Sequence, residues 1–333
     1  MSVHRSTSIL LAALLAVACG GPAAPTPSAS PLPTSSPAAP TPSAAPTLTS
    51  SPAMPTPSAS PLPTSSPAAP TPTVAPTATP APTASTMLVR AYLFLGDTAG
   101  GSPALVPVLR TVPKTAATAT AAMNALLAGP SAKESAARPA ITTAVPAGTR
   151  LLGVEITSGL ATVDLSGAFA SGGGSFSVRG RLAQVVYTLT QFATVTRVSF
   201  KLDGQPVTVF SSEGIILDKP VTRVTYRDDF LPRIFVDRPA WGAALPSPNH
   251  VTGLADTFEA QFRMALLDAA GKVLVDRSVL ASAGSGTWGT FDVAVSYTVP
   301  TRQWGTLRVW DTSAKDGTII LLRSYPIQLW PGS

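Results

Sequence analysis

The chain has 333 residues, a formal net charge of +6, two histidines and one cysteine. A single cysteine excludes an intrachain disulfide, and so few cysteines and histidines cannot supply the three or four ligands of a zinc site. We therefore expect no metal and no cofactor, and we expect folded parts that are held together by core burial alone.

An apolar segment stands directly before the cysteine. Leu10–Ala18 is apolar and ends in small residues, and Arg5 precedes it, which is the layout of a secretory signal peptide. The segment is about half as long as a helix that spans a bilayer. We predict a signal peptide over residues 1–18, cleavage before Cys19 and lipidation of the Cys19 sulfur.

Lipidation of Cys19 would fix where the protein works. The alternative is an ordinary signal peptide that is cleaved at the same bond and leaves a free thiol, because Ala16 stands where lipoproteins prefer leucine. With lipid attached, the mature chain is extracytoplasmic and is anchored to the outer face of the bacterial cell membrane. No later apolar stretch reaches spanning length, so we predict no second membrane segment.

Residues 19–86 have the composition of a tether. Residues 20–89 contain no charged residue and no histidine, and 20 of the 35 prolines lie between Pro22 and Pro82. The block PSASPLPTSSPAAPTP occurs twice without change, at Pro27–Pro42 and Pro57–Pro72. Such a segment has no core to bury, so we predict a disordered spacer with polyproline II character and a reach of roughly 200 Å at full extension.

Residues 87–228 are predicted to fold as an α+β domain. The order helix–strand–strand occurs twice, and because two strands rarely bury enough surface alone, we expect helices that cover a mixed or antiparallel sheet. The elements are strands at Leu88–Leu95 and Ala104–Arg110, a helix at Thr115–Ala128, a hairpin at Leu151–Ile156 and Leu160–Leu165, a helix capped by Ser177 with Val178, Leu182, Val185, Leu189 and Phe192 on one face, and a hairpin from Val198–Leu202 to Val207–Val209.

Residues 229–333 are predicted to form an all-β domain, which begins near Asp228, Asp229 and Pro232. About seven short strands in roughly 100 residues are typical of an immunoglobulin-like sandwich. The clearest strands are Phe258–Leu266, Lys272–Val275, Phe291–Tyr297, Leu307–Val309, Ile319–Leu322 and Ile327–Trp330.

Both domains resemble known families. The stretches YLF, ALLAGP, GVEITSGLATVDLSGAF, RLAQVVYTLTQF and VSFKLDGQPV resemble the GerM-type (GerMN) domain of bacterial sporulation and spore germination lipoproteins. FEAQFRMALLDAAGKVL, WGTFDVAVSY, GTLRVWDTSAKDG and YPIQL resemble the immunoglobulin-like domain that accompanies it. The resemblance implies a tandem α-β-β fold similar to ring-building motifs of secretion-type assemblies, and it implies interaction modules rather than catalytic ones. The long, Pro-rich tether departs from the family pattern.

The sequence offers few groups for catalysis. His250 is the one histidine of the mature chain, and we interpret it as a surface loop residue rather than a catalytic base. Asp228 and Asp229 are adjacent, and on an extended chain they would point in opposite directions, so they do not make the carboxylate pair of a glycosidase. We therefore predict no enzyme and no catalytic residue, with a glycan hydrolase as the remote alternative.

Four other patterns each have two interpretations. Gly172–Ser175 lacks the lysine of a phosphate loop and is interpreted as a flexible start of a helix, and Asp311–Gly317 is interpreted as a polar hairpin rather than a calcium loop. One set of arginines is interpreted as a solvated surface or as a patch that binds anionic wall polymers or lipid headgroups: Arg223, Arg227, Arg233 and Arg238. One set of tryptophans is interpreted as core or sheet-packing residues or as a face on which glycans stack: Trp288, Trp304, Trp310 and Trp330.

Together these features predict a membrane-anchored, non-enzymatic interaction module. Its expected partners are the membrane, through the lipid anchor, and an envelope protein. The alternative is a binding module for a cell-wall polymer or a small extracellular ligand. Nucleic acid is not expected because the basic residues are scattered. The oligomeric state is left open.

Overall fold

The computed structural model describes residues 85–96 and 102–331. Cys19, the signal peptide and the Pro-rich tether lie outside the described residues, so the predictions for them are untested. The described residues belong to one compact unit, Thr77–Ser333.

The first part of the unit is an α+β fold with a three-stranded sheet of order β2-β1-β3 and a four-stranded sheet of order β4-β5-β6-β7. Its elements are β1 Thr86–Leu95, β2 Ala104–Pro113, α1 Thr118–Leu127, α2 Ala132–Ser135, β3 Ile141–Thr142, β4 Leu151–Thr157, β5 Leu160–Leu165, α3 Ser175–Leu189, β6 Arg197–Leu202, β7 Gln205–Pro206, β8 Val209–Phe210, β9 Ile215–Ile216 and α4 Arg223–Phe230.

The predicted mixed sheet is confirmed. Strand β4 pairs antiparallel with β5, and β5 pairs in parallel with β6, so helix α3 is the crossover between two parallel strands. The second predicted hairpin is only partly right: β6 turns back into the short β7, and Val209 belongs to a separate pair, β8 with β9.

Helix α3 packs an apolar face that includes Val178, Leu182, Val185 and Leu189, all buried as the periodicity predicts. Its cap is not the predicted one, because Gly174 holds the N-cap position and Ser177 lies inside the first turn. The Gly174 backbone has the extended conformation that an N-cap needs, so the helix starts three residues earlier than expected.

Polar side chains of α3 and of the turn that follows it also complete the edge of strand β1. The amide of Gln191 accepts from the Arg90 N–H at 2.8 Å and donates to the Arg90 carbonyl at 2.8 Å. Within the last turn of the helix, the Thr188 hydroxyl accepts from the Tyr92 N–H at 3.1 Å. Gln184 donates to the Tyr92 carbonyl at 2.9 Å. These side chains replace a neighbouring strand where β3 pairs only with the end of β1.

The second part is a β-sandwich, and the predicted immunoglobulin-like architecture is confirmed. One sheet has the order β10-β12-β15 and the other β11-β17-β16-β13-β14. The strands are β10 Ile234–Arg238, β11 Ala244–Leu245, β12 Asn249–Ala255, β13 Gln261–Leu267, β14 Val273–Leu280, β15 Gly289–Val295, β16 Gln303–Thr312 and β17 Ile319–Leu329.

Two strand predictions in the sandwich need correction. The strand expected from Phe258 begins only at Gln261, because Glu259 and Ala260 have positive φ angles of 54° and 60° that break an extended chain. Phe258 is consequently exposed. The two strands expected near the end of the chain are one strand, Ile319–Leu329, which pairs along most of its length with β16.

Candidate binding groove between the two folded parts

His250 lies on strand β12 and not in the surface loop that the sequence predicts. Its ring is exposed, and its Nδ1 atom contacts the carboxylate of Asp292 on the neighbouring strand β15. The strand was missed because Gly253 interrupts its alternation of apolar residues. That His250 has no catalytic role stays a prediction.

Asp228 and Asp229 lie on helix α4 rather than on an extended segment, and they turn to different partners. Asp228 accepts from the indole Nε1 of Trp288 at 2.6 Å and from Arg227 at 3.2 Å. Asp229 pairs with Arg179 at 2.5 Å. Hydrogen bonds from Arg227 and then from Trp288 hold the pKa of Asp228 below its ordinary value. The acid of a glycosidase needs the opposite shift.

The glycine-rich segment before α3 is fastened, which corrects the prediction of a flexible one. The Arg181 side chain is only 1% exposed, and its Nη1 donates to the carbonyl oxygens of Phe169 at 2.7 Å and Ser171 at 2.8 Å. Its Nη2 donates to the carbonyl of Gly172 at 2.8 Å. Gly173 has φ +84°, and a Cβ there would lie 2.7 Å from Nη2 of Arg181. The guanidinium therefore occupies the inside of the loop and its charge is met by backbone carbonyls.

The acidic segment between β16 and β17 is a hairpin turn, as predicted. The Ser313 N–H donates to the Thr318 carbonyl at 2.8 Å, and Asp316 accepts from the Thr318 hydroxyl at 2.8 Å. Among residues 85–96 and 102–331, no group of three or more His, Cys, Asp or Glu side chains could hold a metal ion.

The four arginines of the predicted solvated surface have separate surroundings, and Arg223 is the clear correction. Its guanidinium lies 4.7 Å from the centre of the Tyr187 ring and 5.3 Å from that of Tyr92. Arg227 lies over the ring of Trp288, and Arg233 forms an ion pair with the buried Asp256. Arg238 is the last residue of strand β10. No continuous cationic surface results from them.

Arg223 belongs to a polar network that joins the two folded parts. Asp237 of β10 accepts from the Tyr92 hydroxyl at 2.5 Å and pairs with Arg90 at 3.3 Å. The Arg223 Nη2 donates to the Tyr92 hydroxyl at 3.3 Å. Burial raises the pKa of Tyr92, so its hydroxyl stays protonated and donates to Asp237. Burial alone would lower the pKa of Arg223, but nearby Tyr92 and Asp237 raise it above its ordinary value.

The apolar core is also continuous across this junction. Tyr187 of α3 and Phe235 of β10 meet edge to face with ring centres 6.5 Å apart, and both belong to one cluster of buried residues that includes the cores of both parts. The two folds therefore behave as a single packed unit rather than as two domains on a hinge.

A short segment after β10 fixes the junction through backbone hydrogen bonds. The Trp241 N–H donates to the carbonyl of Pro107 at 2.9 Å, on strand β2. The next residue, Gly242, donates to the carbonyl of Pro326 at 2.9 Å, on strand β17. The dipeptide Trp241–Gly242 is thus hydrogen-bonded both to strand β2 of the first part and to strand β17 of the second part. It lies beside a large open groove.

The groove has a volume of about 1290 Å³ and draws its lining from both parts. Helix α2 and the residues after it form one wall, and the outer face of β16 and β17 forms the other. Lys133 reaches across from α2, with its Nζ atom 5.2 Å from the centre of the Trp304 ring.

Tryptophan exposure is the feature that most contradicts the sequence interpretation. The described residues contain all five tryptophans, and none of them is buried. Trp304 and Trp330 are 45% and 39% exposed, and both line the groove together with the half-buried Trp241. Of the two placements predicted together, core or sheet-packing, the core placement is therefore wrong for Trp304 and Trp330, and the alternative of a glycan-stacking face stays a prediction.

Glu134 is the one carboxylate among the groove's lining residues, and it is fully engaged. Its two oxygens accept from Arg110 at 2.8 and 2.7 Å, and one of them also accepts from the Ser131 N–H as part of a capping box on α2. Burial alone would raise the pKa of Glu134, but the hydrogen bonds from Arg110 and Ser131 outweigh it and lower the pKa.

This shift predicts a pH-dependent stability. A carboxylate with a lowered folded-state pKa stabilises the fold above its ordinary value of 4.5, and the contribution is lost as the pH falls through the folded-state pKa. We expect Glu134→Gln to lower the free energy of unfolding by about 1–3 kcal/mol at pH 7, with the difference between wild type and variant shrinking as the pH falls below 4.5. Urea unfolding between pH 7 and pH 3 measures this. A difference that stays constant with pH would contradict the assignment.

Comparison with known proteins agrees with the two-part fold. Residues 91–208 match the family model described as sporulation and spore germination, and residues 233–318 match that described as the immunoglobulin-like domain of bacterial spore germination. The chain carries a GerM-type domain followed by the immunoglobulin-like domain of spore germination. None of the curated proteins compared with it matches.

Solved structures of GerM-type proteins are among the similar ones. The first GerMN domain of the sporulation protein GerM from Bacillus subtilis is 22% identical, with a TM-score of 0.34, and the match covers 41% of this chain and 98% of that one. The tandem GerMN domains of the same protein are 16% identical, with a TM-score of 0.35 over 64% of this chain and 62% of that one. A putative lipoprotein from Clostridium perfringens is 19% identical, with a TM-score of 0.30 over 42% and 89%.

Within the described residues, no helix has both the length and the apolar character needed to cross a bilayer.

Proposed function

We propose that this GerM-type protein is an extracytoplasmic lipoprotein whose two folded domains act together as a non-enzymatic binding unit for a component of the cell envelope. The observation that carries the proposal is the groove at the domain junction. Exposed tryptophans are uncommon on a surface that has no partner, and a large concave site at a domain interface is where ligands usually bind.

The proposed location rests on the sequence of the first 86 residues. A signal-like segment, the single cysteine after it and an uncharged Pro-rich stretch favour lipidation at Cys19 and a long spacer between the membrane and the domains. We place the tether at residues 19–86, the GerM-type domain at 87–228 and the immunoglobulin-like domain at 229–333.

The proposed absence of catalysis has support in how the candidate acids are used. Asp228 and Asp229 bind separate partners, and Glu134 is held between Arg110 and a helix cap. Each therefore serves the structure, and the hydrogen bonds of Asp228 and Glu134 lower the pKa of each, opposite to the raised pKa of a general acid.

Metabolic labelling with an alkyne fatty acid tests the anchor. We expect wild-type protein to be labelled and to partition with membranes, and Cys19→Ala to lose the label completely because no other cysteine exists. Gly20→Ala keeps the sulfur and is expected to stay labelled. An unlabelled wild-type protein in the cytosol would overturn the proposed location.

Co-purification tests the binding unit. Wild type and a Trp304→Ala/Trp330→Ala variant are crosslinked in cells, solubilised in detergent and purified. We expect wild type to retain an envelope component, whether protein or wall polymer, that the variant loses. If neither protein retains anything, the proposal of a binding unit fails.

A further inference from the structure

We propose that the junction groove binds an anionic glycan strand. Its sugar rings would lie against Trp304 and Trp330. Its carboxylate or phosphate groups would meet Lys133, Arg138 and Arg302. This inference rests on the proposed binding function and names the chemistry of the ligand.

The two tryptophans belong to one face of one sheet. Trp304 of β16 stands opposite Gln328 of β17, and Trp330 follows two residues later, so the two indoles are diagonal neighbours across the strand pair. Leu307, Val309 and Leu329 point into the sandwich core, which leaves the indoles on the outer face. Diagonal neighbours of this size lie within reach of one ligand on that face.

An aromatic surface of this kind suits a sugar ring. One face of a pyranose carries mainly C–H groups, which pack on the electron-rich face of an indole, while the hydroxyl groups at the ring edge remain free for polar partners. The groove supplies such partners around the indoles, including the Gln328 amide and the Thr306 hydroxyl. The Gln328 amide already accepts from Arg302 and donates to the Gly242 carbonyl, so it is held in position beside the indoles.

The charges of the groove favour a ligand with negative groups. Lys133, Arg138 and Arg302 all line it, and within the described residues none of the three forms an ion pair. Glu134 does not oppose an anion, because Arg110 already neutralises it. The free charge in the groove is therefore positive.

Two of these cations rest on the indole faces. Lys133 lies over Trp304 at 5.2 Å and Arg302 over Trp330 at 4.6 Å. Such contacts are weak at exposed sites, so a carboxylate or phosphate can draw each cation aside and uncover the ring that it covers. Ring and cation are thus placed to act on adjacent parts of one ligand.

The size and stiffness of the groove favour a polymer. Pockets for small molecules usually have volumes of roughly 300–1,000 Å³, and this groove of about 1290 Å³ is open. Backbone hydrogen bonds at Trp241 and Gly242 connect strands β2 and β17, which both border the groove, before any ligand arrives. A preformed site loses little conformational entropy on binding.

The chain's own Pro-rich segment is a less suitable occupant. Proline-rich peptides do bind aromatic grooves. However, residues 20–89 carry no acidic group that could pair with Lys133, Arg138 or Arg302. An anionic glycan satisfies both the indoles and the cations.

Binding of purified material to the mature protein, residues 19–333 with Cys19→Ser to keep it soluble, tests the inference. The probes are cell-wall sacculi, the same sacculi after hydrofluoric acid has removed phosphate polymers, soluble polygalacturonate as a carboxylated glycan, and dextran as a neutral one. We expect binding to polygalacturonate and to untreated sacculi but not to dextran. Loss on acid treatment assigns the wall ligand to phosphate polymers, and retention assigns it to the peptidoglycan strand.

Variants show whether the groove is responsible. Trp304→Ala/Trp330→Ala should weaken binding at least tenfold, and Lys133→Glu/Arg302→Glu should weaken it at least tenfold and remove its salt dependence. Trp310→Ala is the matched control, because Trp310 lies on the same strand and face but outside the groove, near Arg263 and Arg308. The groove variants change exposed side chains and the control changes a half-buried one, so circular dichroism checks the folding of every variant.

Three outcomes would overturn the inference. If dextran binds as tightly as polygalacturonate, the charge of the ligand has no role. If the Trp304→Ala/Trp330→Ala variant binds as tightly as wild type, the groove has no role. No glycan binding, combined with a crosslinked protein partner that depends on Trp304 and Trp330, would identify the occupant as a protein and leave the proposed function standing. If the wild-type protein binds neither a glycan nor a protein partner, the proposed function fails as well.

Discussion

Arg181→Met is expected to lower the free energy of unfolding by at least about 2 kcal/mol, because backbone carbonyls lose hydrogen bonds from a charged donor. Arg181 is almost fully buried, and its guanidinium donates to three backbone carbonyls in the segment before α3. Methionine fills similar space but leaves the buried carbonyl of Phe169 without a donor, and it frees the carbonyls of the exposed residues Ser171 and Gly172. Each buried carbonyl that loses its hydrogen bond costs about 1–3 kcal/mol.

A second arginine on the same helix is a matched control. Arg179 is largely exposed, and its ion pair with Asp229 lies at the surface. Arg179→Met should therefore cost no more than about 1 kcal/mol. Urea unfolding followed by circular dichroism compares the two variants. Equal effects would show that Arg181 does not hold the glycine-rich segment in place.

Arg181→Lys separates charge from geometry. A lysine keeps the positive charge, but its single ammonium group cannot reach three carbonyls that surround a planar guanidinium. We expect a stability between those of wild type and Arg181→Met. Wild-type stability in the lysine variant would mean that charge alone is sufficient.

Gly253→Ala is expected to lower the free energy of unfolding by at least about 3 kcal/mol, the upper end of the range for overpacked cores. Gly253 lies in the middle of β12, and a Cβ there would come within 1.9 Å of the Phe235 carbonyl oxygen and 2.7 Å of the Phe291 ring. Phe291 packs edge to face on Phe262 with ring centres 5.0 Å apart, so it has little room to move away.

Gly153→Ala provides the control for this substitution. Gly153 also lies within a strand, β4, and a Cβ there would have no neighbour within 4 Å. Neither glycine has a positive φ angle, so the comparison isolates the steric contact. We expect Gly153→Ala to change stability by less than about 0.5 kcal/mol. A similar small effect at Gly253 would mean that β10 and β12 can separate without cost.

Most of the fold could be predicted because apolar residues recur at helical spacing in the helices and alternate with polar ones in many strands. Helix α3 repeats apolar residues at helical spacing, and β15 alternates them strictly, so both were found. Strands β10 and β12 were missed because Pro232, Pro239 and Gly253 mask short or interrupted patterns. The cap of α3 was misplaced because Ser177 is a favoured capping residue, and only the fold shows that its hydroxyl meets Arg181.

The exposed tryptophans could have been found from the sequence by parity. Leu307 and Val309 mark the inward positions of β16, which places Trp304 and Trp310 on the opposite face. The groove itself could not have been predicted. Its walls are residues 131–139 and β16, more than 160 positions apart, and only packing between the domains brings them together.

The amide and hydroxyl groups that α3 and the turn after it supply to strand β1 have a consequence for the proposed anchoring at a membrane. Anchored molecules meet their neighbours often, and an open strand edge would let adjacent copies pair into aggregates. The Gln191 and Gln184 amides and the Thr188 hydroxyl occupy backbone positions of β1 that an incoming strand would need. At these positions a neighbouring copy cannot add a strand to the sheet, so contacts between copies there must use side chains.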